Sequence, residues 1–545
     1  MSRLRRLAGL ALLAAGPALL LGVFFVLPVS GMLGLGLWPN GHLDLGPAWE
    51  AVTRERTARV AWFTLWAAAT ATAITLLLGV PAAFALYRLA IPGRRLLRAV
   101  LLVPFVLPTV VVGVAFDSLL AAGGPLGFLD WRDGPIAIIT AMVFFNLAVV
   151  VRTVGTTWES LDPRPGEAAA ALGARPWQVF WTATFPALRG SIVSAASVVF
   201  LFCATAFGVV LILGGMRYAT LETEIYLLTV NLFDLRAAAA LCLLQFVVVI
   251  GLLALAQRAR RGTVVAHRVA ARPRRVRAGD VPALLATVTG VVLVVVPVLG
   301  LVLTSLRDDG AWSLANYRRL GASDDPDLVV SVLEALVNSL RIALDATWMA
   351  LGVGLLVAII VTRRSYSPAE RRIRGLLDGF FMLPLGISAV TLGFGFLVTL
   401  DEPPLDLRDS PLLVPIAQAL VALPLVVRIL IPVLAGIDDR QRQAAASLGA
   451  SPFQTLLAVD LAVVWKPLLA AAGMVFAVSL GEFGATSFLS RADHPTLPVL
   501  IYRLLGTPGE HHYAMAVAAS VLLAGTTAAV MLITERLRVP GVGGF

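Results

Sequence analysis

The stretch Arg164-Pro-Gly-Glu-Ala-Ala-Ala-Ala-Leu-Gly-Ala-Arg175 occurs a second time, nearly unchanged, as Arg440-Gln-Arg-Gln-Ala-Ala-Ala-Ser-Leu-Gly-Ala-Ser451. When Glu167 is aligned with Gln443, Gly173 falls on Gly449. Both copies are polar islands in an apolar sequence. Because a recurring segment marks a repeated structural unit, this pair indicates a chain built from two similar halves.

The composition excludes an ordinary soluble protein. Of the 545 residues, 59% are hydrophobic and only 14% are charged, whereas soluble chains carry about 25% charged residues. The apolar runs reach the roughly 20 residues that a helix needs to cross a bilayer. Since an open sheet cannot face lipid, we predict an all-α integral membrane protein.

The apolar runs predict about twelve transmembrane helices in two sets of six. The first set centres near residues 22, 73, 108, 144, 203 and 247, and the second near 292, 350, 388, 422, 478 and 524. We therefore predict a first repeat over 1–257, a basic linker over 258–280 and a second repeat over 281–545. Because each copy of the polar stretch follows the same number of helices, the repeats are expected to be parallel.

The arginines are expected to set the orientation in the membrane. The net charge of +10 comes from short clusters between the apolar runs, which is the pattern of membrane topology and not of nucleic-acid binding. The clusters place both termini and both copies of the polar stretch in the cytoplasm. The apolar run after Arg6 is too long for a signal peptide, so we predict an uncleaved first helix.

Each polar stretch is expected to form two short helices joined by a turn. Pro165 and Glu167 suit the first turn of a helix, and the alanines that follow favour its interior. Gly173 can adopt the left-handed conformation that ends a helix. Pro176 then begins a second short helix, which we expect to end at Pro186. Such an exposed element suits docking to a partner.

The spacing of Glu-Ala-Ala, three residues and Gly resembles the cytoplasmic EAA loop of permease subunits in bacterial ABC importers. The two loops would span 164–190 and 440–466. The matching positions are Glu167, Ala168, Ala169, Gly173 and Pro186 in the first loop, and Gln443, Ala444, Ala445 and Gly449 in the second. Gln443 replaces the glutamate, and Ala462 stands where Pro186 would align, so unequal coupling is expected.

The resemblance extends to fused permeases for ferric iron and thiamine, in which one chain supplies both halves. It implies the type I ABC importer permease fold, in the cytoplasmic membrane of a bacterium. It also implies two copies of an ATP-binding subunit and an extracytoplasmic solute-binding protein as partners, besides the lipid bilayer. The stretch Pro495–Tyr502 leans towards thiamine over ferric iron.

The chain itself lacks the means to hydrolyse ATP. A phosphate-binding loop needs a lysine after a glycine-rich run, and the one lysine, Lys466, precedes Pro467 without those glycines. We therefore expect a transport subunit without catalytic residues or a cofactor of its own, with ATP bound by the partner. Cys203 and Cys242 lie in apolar segments and predict neither a disulfide nor a metal site.

Charged residues at membrane depth are the remaining candidates for function. We expect the translocation path to lie at the aligned segments around two phenylalanines, and its candidate residues are Phe207, Gly481, Glu482, Phe483 and Gly484. For Glu482 a satisfied interhelical hydrogen bond is an equal alternative. Asp117 and Asp345 favour structural roles. Arg217, Glu222 and Glu224 would face outside and contact a binding protein, unless they are simply solvated.

Two other classes remain as alternatives. A secondary transporter driven by an ion gradient also has two parallel six-helix halves, but it does not explain two docking loops. A membrane enzyme would need converging histidine, cysteine or carboxylate side chains. The five histidines are scattered, and only His511 and His512 are adjacent.

Overall fold

The computed structural model describes residues 3–38, 42–215, 217–260, 273–308, 310–321, 329–365, 367–401 and 405–536. Within these ranges the chain is almost wholly helical, and ten helices are long and apolar enough to cross a membrane. The prediction of an all-α membrane fold is confirmed.

The first half supplies six segments of membrane-spanning length, of which the third is broken. They are α1 (Leu10–Leu37), α2 (Glu55–Arg88), α3 (Arg94–Val106 and Thr109–Leu120), α4 (Pro135–Glu159), α5 (Pro176–Ala204) and α6 (Leu235–Arg260). The two pieces of α3 meet at an angle of 104°. Pro108 explains the break, because it forces Leu107 into an extended conformation with ψ 136°.

The second half repeats this order. Its segments are α7 (Ala278–Ser305), α8 (Val332–Thr362), α9 (Pro368–Phe381 and Ala389–Thr399), α10 (Leu413–Ala435), α11 (Pro452–Leu480) and α12 (Glu510–Arg536). Helix α9 is interrupted by the 3-10 turn Leu383–Gly386, at the place that corresponds to the bend in α3. With the bent α3 counted as one, eleven of the described segments are long and apolar enough to cross a membrane, and the shorter α9 completes the order of about twelve that the sequence predicts.

Short elements connect the long helices. They are the helices Gly46–Thr53, Gly127–Leu129, Arg164–Ala171, Gly208–Leu213, Leu221–Tyr226 with its continuation Leu227–Asn231, Ala315–Arg319, Asp439–Ser447, Thr486–Leu489 and Leu497–Gly506, and the hairpin of Arg307–Asp308 with Ala311–Trp312. In each half, two short helices stand between the fifth and sixth long segments.

The two halves pack in the same way. Helix α2 crosses α4 at Gly79, where an added Cβ would lie 2.7 Å from Val150 Cγ1. Helix α8 crosses α10 at Gly354, where an added Cβ would lie 2.5 Å from Val426 Cγ1. Both crossings need a glycine at the corresponding position of the helix. The halves therefore share the same helix packing as well as the same order of helices.

The first helix of each half packs against the other half. Leu21 and Phe25 of α1 share a buried cluster with Phe381 of α9. Val294 of α7 shares a buried cluster with Leu147 of α4. The halves are therefore interlocked, because each depends on the other to cover its first helix.

The end of the predicted linker contacts the first half. The Arg274 N–H donates to the Arg88 carbonyl at 2.9 Å, and the Ala90 N–H donates to the Arg274 carbonyl at 2.8 Å. The Arg274 guanidinium also binds the Asp280 carboxylate at 2.6 Å. Residues 261–272 of the linker lie outside the described ranges. The boundaries 1–257, 258–280 and 281–545 stay predictions.

Candidate functional site

The first polar loop forms two short helices around a left-handed glycine. The helix Arg164–Ala171 is terminated by the turn at Gly173, which has φ +89°. The Ala174 N–H then donates to the Ala169 carbonyl at 3.1 Å, which closes the end of the helix. Glu167, Ala168 and Gly173 are exposed, and Ala169 is half-buried. The turn predicted from Gly173 is present.

The second loop has the same backbone. The helix Asp439–Ser447 ends at Gly449, with φ +86°, and the Ala450 N–H donates to the Ala445 carbonyl at 3.1 Å. Gln443 and Ala444 are exposed and Ala445 is half-buried, as at the matching positions of the first loop. The repeated sequence therefore folds into a repeated surface. We call the side of the protein that carries both loops the loop face.

The second short helix of each loop does not end where the sequence predicts. It begins at Pro176 but runs on through a π-helical turn, Phe180–Thr184, into the helix Phe185–Ala204. Pro186, expected to end the helix, lies exposed in its first turn after this π segment. Proline has no backbone N–H to donate, and the wider π-helical turn before Pro186 accommodates it without breaking the helix. The second loop has the same feature at Leu456–Leu461.

Both loops present apolar side chains to solvent that sequence analysis missed. Leu172 is 90% exposed and Leu448 is 89% exposed. They are joined by Trp177 at 60% and Phe453 at 67%. Each tip therefore exposes a leucine and an aromatic ring at matching positions. Large exposed apolar side chains of this kind are typical of residues that bind a protein partner. The aligned sequences already contained this signal, because both positions keep an apolar residue in a polar island.

The two loops differ in what holds them to the helices. In the second loop, Arg442 Nε lies 2.8 Å from the buried Asp460 carboxylate, which also binds Arg363 at 2.5 Å. Arg442 binds Asp439 at 2.7 Å as well. Burial alone would lower the pKa of Arg442, but its hydrogen bonds to both carboxylates raise that pKa above the usual value. We call these four residues the charge cluster.

The first half has no equivalent cluster in its aligned positions. Gly166 and Thr184 stand where Arg442 and Asp460 align, and Arg88 stands where Arg363 aligns. Arg88 donates to backbone carbonyls of Trp158 and Leu161 at 3.4 and 3.3 Å. The first loop is thus held by hydrogen bonds to the backbone and the second by ion pairs.

Four aromatic side chains meet where the halves contact each other. Phe207 stacks on Phe483, with ring centroids 5.3 Å apart and planes inclined by 23°. Tyr226 packs on Phe207 at 5.4 Å, Tyr502 packs on Phe483 at 5.6 Å, and the two tyrosines are 6.4 Å apart. We call this group the aromatic cluster. It brings together the two predicted path phenylalanines with two tyrosines that sequence analysis missed, although the same alignment pairs them.

Glu482 lies beside this cluster and is 8% exposed. Its carboxylate accepts hydrogen bonds from the Ala485 and Thr486 N–H groups at 2.8 and 3.0 Å, and from the Thr486 hydroxyl. The neighbouring glycines allow close packing between segments. A Cβ added at Gly481 would lie 3.1 Å from Pro108, and a Cβ added at Gly484 would lie 3.0 Å from Ala389. The predicted path residues of the second half therefore line a tight interface.

The predicted exposure of Glu222 and Glu224 is wrong. Glu222 is fully buried and Glu224 is 3% exposed, because the short helix Leu221–Tyr226 folds back into the protein. Glu222 accepts hydrogen bonds from Gln245 and Ser388, and Glu224 forms a two-point ion pair with Arg56 at 2.6 and 2.8 Å. Neither carboxylate is on the surface that a binding protein would touch. Arg217 is exposed.

A cavity of about 380 Å³ opens in the second half, between the segment after α9 and the segment after Leu489. Asp401, Arg408, Asp409, Arg491 and Asp493 supply its charged lining. It lies at the end of α10 remote from the loop face. Phe488 lines the cavity and also packs edge-on against Tyr226 at 5.4 Å. The cavity therefore reaches the rim of the aromatic cluster.

The other membrane-depth candidates have local partners. Asp117 binds Arg132 at 2.9 Å and accepts the Tyr513 hydroxyl at 2.9 Å. Asp345 accepts from the Trp348 ring N–H at 3.3 Å. These contacts fit the structural roles expected for both. Cys203 and Cys242 are buried and free.

Taken with the paired loops, this fold defines a membrane permease whose two halves are joined in one chain. Residues 75–261 match the family of the binding-protein-dependent transport system inner membrane component.

The chain is also similar to full-length relatives. The thiamine transport system permease protein ThiP of Escherichia coli strain K12 is 28% identical over 87% of this chain and 88% of its own length. ThiP of Brucella abortus strain 2308 is 27% identical over 88% of this chain and 87% of its own. The probable ABC transporter permease protein y4fN of Sinorhizobium fredii is 27% identical over 94% of both chains. Over most of its length the chain is therefore similar to permease proteins of bacterial transport systems.

A solved bacterial ABC transporter involved in the import of the acidic polysaccharide alginate is a more distant likeness. It covers 47% of this chain and 98% of its own, with 16% identity and a TM-score of 0.34.

Proposed function

We propose that this permease forms the solute pathway of an ATP-driven, binding-protein-dependent importer and couples that pathway to separate ATP-binding subunits. One observation carries the proposal: two loops with the same backbone expose the same apolar tip on one face of the protein. A pair of equal docking surfaces suits two copies of one partner. The chain would lie in a bacterial cytoplasmic membrane, with the loop face and both termini in the cytoplasm.

The pathway would run between the halves and be closed by the aromatic cluster. Its four rings fill the contact between the segments around Phe207 and Phe483. The cavity remote from the loop face reaches this closure at Phe488. A solute delivered by an extracytoplasmic binding protein would enter there and pass once the halves separate.

Thiamine is the proposed solute, because the relatives that match most of the chain are named for thiamine transport. Ferric iron remains the second candidate from the sequence resemblance. A secondary transporter would take up solute with an ion gradient alone, so the energy source separates the two classes.

The decisive experiment reconstitutes the chain in liposomes with its ATP-binding subunit and binding protein. We expect thiamine uptake that requires ATP on the side of the liposome membrane that carries the ATP-binding subunits. Uptake driven by a proton or sodium gradient without the ATPase would contradict the proposal.

The loop glycines test coupling directly. Gly173→Pro cannot adopt φ +89°, and Gly449→Asp is strained at φ +86°. We expect Gly173→Pro to abolish ATP-coupled uptake and Gly449→Asp to reduce it strongly, while both proteins still reach the membrane. Gly375→Ala is the matched control, since Gly375 has open space around it and an ordinary helical conformation. Normal uptake by Gly173→Pro would rule out the coupling role.

A further inference from the structure

Seven carboxylates are buried in the part of the chain that the structure describes. Four of them pair with arginine: Asp117 with Arg132, Glu224 with Arg56, Asp280 with Arg274, and Asp460 with Arg363. A fifth, Glu370, interacts electrostatically with Arg374 of the same helix. Glu222 and Glu482 differ, because their hydrogen bonds come from neutral groups and no ion pair to either is found among the described residues. A buried carboxylate without a counter-ion is costly, and in a membrane protein it marks a functional site.

These two carboxylates approach the same helix end from opposite halves. Glu222 accepts the Ser388 hydroxyl at 3.0 Å, and Ser388 caps the second piece of α9, Ala389–Thr399. The next residue, Ala389, packs against Gly484, beside the Glu482 carboxylate. The positive end of this helix lies between them and favours negative charge there. Glu222 belongs to the first half and Glu482 to the second, so the pair spans the interface.

Each carboxylate is close in sequence to a ring of the aromatic cluster. Phe483 follows Glu482 directly in the chain, and Tyr226 lies one helical turn beyond Glu222. The faces of Phe and Tyr rings attract cations, and the attraction grows when water is excluded. Two carboxylates without arginine partners beside four aromatic rings are the groups that would recognise an organic cation.

We propose that Glu222, Glu482 and the aromatic cluster form a transient binding site for an organic cation that carries an aromatic ring. The proposal rests on the proposed function, and thiamine, with its thiazolium ring, belongs to this class. In the structure the site is closed, because Phe207 and Phe483 stack on each other. When the halves separate, the solute replaces that ring contact and its charge meets the two carboxylates. The permease would then select its solute as well as conduct it.

The test measures kcat/KM for thiamine uptake by the complex of this chain with its ATP-binding subunit and binding protein. We expect Glu222→Gln and Glu482→Gln each to lower kcat/KM about tenfold, mainly through a higher KM, because each replaces a group that can become negatively charged when the halves separate by a neutral amide of the same shape. Glu55→Gln is the control. Its carboxylate is 89% exposed, so wild-type kcat/KM is expected.

Substitutions in the aromatic cluster provide a second, independent test of the site that does not change a carboxylate. Tyr502→Leu is expected to lower kcat/KM about tenfold, whereas Tyr502→Phe keeps the ring face and should remain near wild type. Phe128→Leu, at a ring that is 79% exposed, serves as the control. Co-purification of the ATP-binding subunit with each variant shows that it has folded.

The outcomes separate the two proposals. Wild-type uptake of thiamine with unchanged kcat/KM in both Gln variants and in Tyr502→Leu overturns the site and leaves the proposed function standing. Equal loss in Tyr502→Leu and Tyr502→Phe also overturns it, since that pattern reflects packing. A wild-type complex that takes up ferric iron and no thiamine overturns the solute and the site together.

Discussion

The two loops share a backbone but differ in their anchorage. Gly173 and Gly449 have φ values of +89° and +86°, and the leucines before them are equally exposed. Beneath that common surface, the charge cluster around Asp460 holds the second loop, while Arg88 in the first half donates hydrogen bonds to the carbonyls of Trp158 and Leu161.

This difference distinguishes two parts of each loop: its exposed surface and its attachment to the membrane helices. The Ala-Ala and Leu-Gly positions form the exposed helix and its left-handed turn, and these are the positions where the copies agree. The residues that connect the loop to the membrane helices differ between the copies, yet both loops keep the same left-handed turn. Because Arg363 ends α8 and Asp460 belongs to the start of α11, the charge cluster joins the second loop rigidly to two long helices.

Breaking the charge cluster is expected to have the largest effect on stability. Asp460→Asn would leave Arg363 and Arg442 without their shared carboxylate, which is 2% exposed. Removing one partner of a buried ion pair destabilises by about 3 kcal/mol or more. The measurement is the free energy of unfolding of the purified chain in detergent, by denaturant titration.

The comparison between the halves supplies the control for this variant. Thr184→Ala, at the aligned position of the first half, should change the free energy of unfolding by roughly 0.5–1 kcal/mol at most, as for other sites without such a network. Asp493→Asn removes an ion pair that is open to solvent and should likewise have a small effect. Equal destabilisation by Asp460→Asn and Thr184→Ala would show that the anchorage does not differ.

Truncating the two leucine tips should affect binding and not folding. Leu172→Ala and Leu448→Ala remove side chains that are 90% and 89% exposed, so the free energy of unfolding should stay unchanged. An apolar anchor at the centre of an interface contributes about 2 kcal/mol, so each variant should weaken binding of the ATP-binding subunit roughly 30-fold. The affinity can be measured on the reconstituted permease.

Because the tips are alike, the two leucine variants should weaken binding equally. Leu12→Ala, at a side chain of α1 that is 79% exposed, controls for the loss of an apolar surface group elsewhere. A tip variant that binds the ATP-binding subunit like wild type would remove that loop from the interface.

Sequence patterns predicted those features that depend on local composition. Long apolar runs predicted the long membrane helices, and the turn at Gly173 followed from a glycine at the end of an alanine helix. The alignment that paired Phe207 with Phe483 located the aromatic cluster, and it would have added Tyr226 and Tyr502 had it been continued along the chain.

The remaining features depend on tertiary contacts that no local pattern expresses. Helix α1 is apolar on several sides, so nothing in its sequence indicates that it packs against α8 and α9 of the other half. Glu222 and Glu224 have the polarity of a surface loop, yet the short helix that carries them is buried. Arg56, which is far away in sequence, supplies the partner that makes the burial of Glu224 possible.

The smallest expected effect concerns an exposed charge that the two loops do not share, Glu167 against Gln443. Both are exposed, so a charge there contributes little to folding but can meet a basic group on the partner. Gln443→Glu should strengthen binding of the ATP-binding subunit two- to fivefold, and Glu167→Gln should weaken it by a similar factor, as for exposed ion pairs. Both effects should diminish at high salt, because exposed charges are screened. If the two substitutions leave the affinity unchanged at low salt, the charge at this position does not distinguish the two loops in binding.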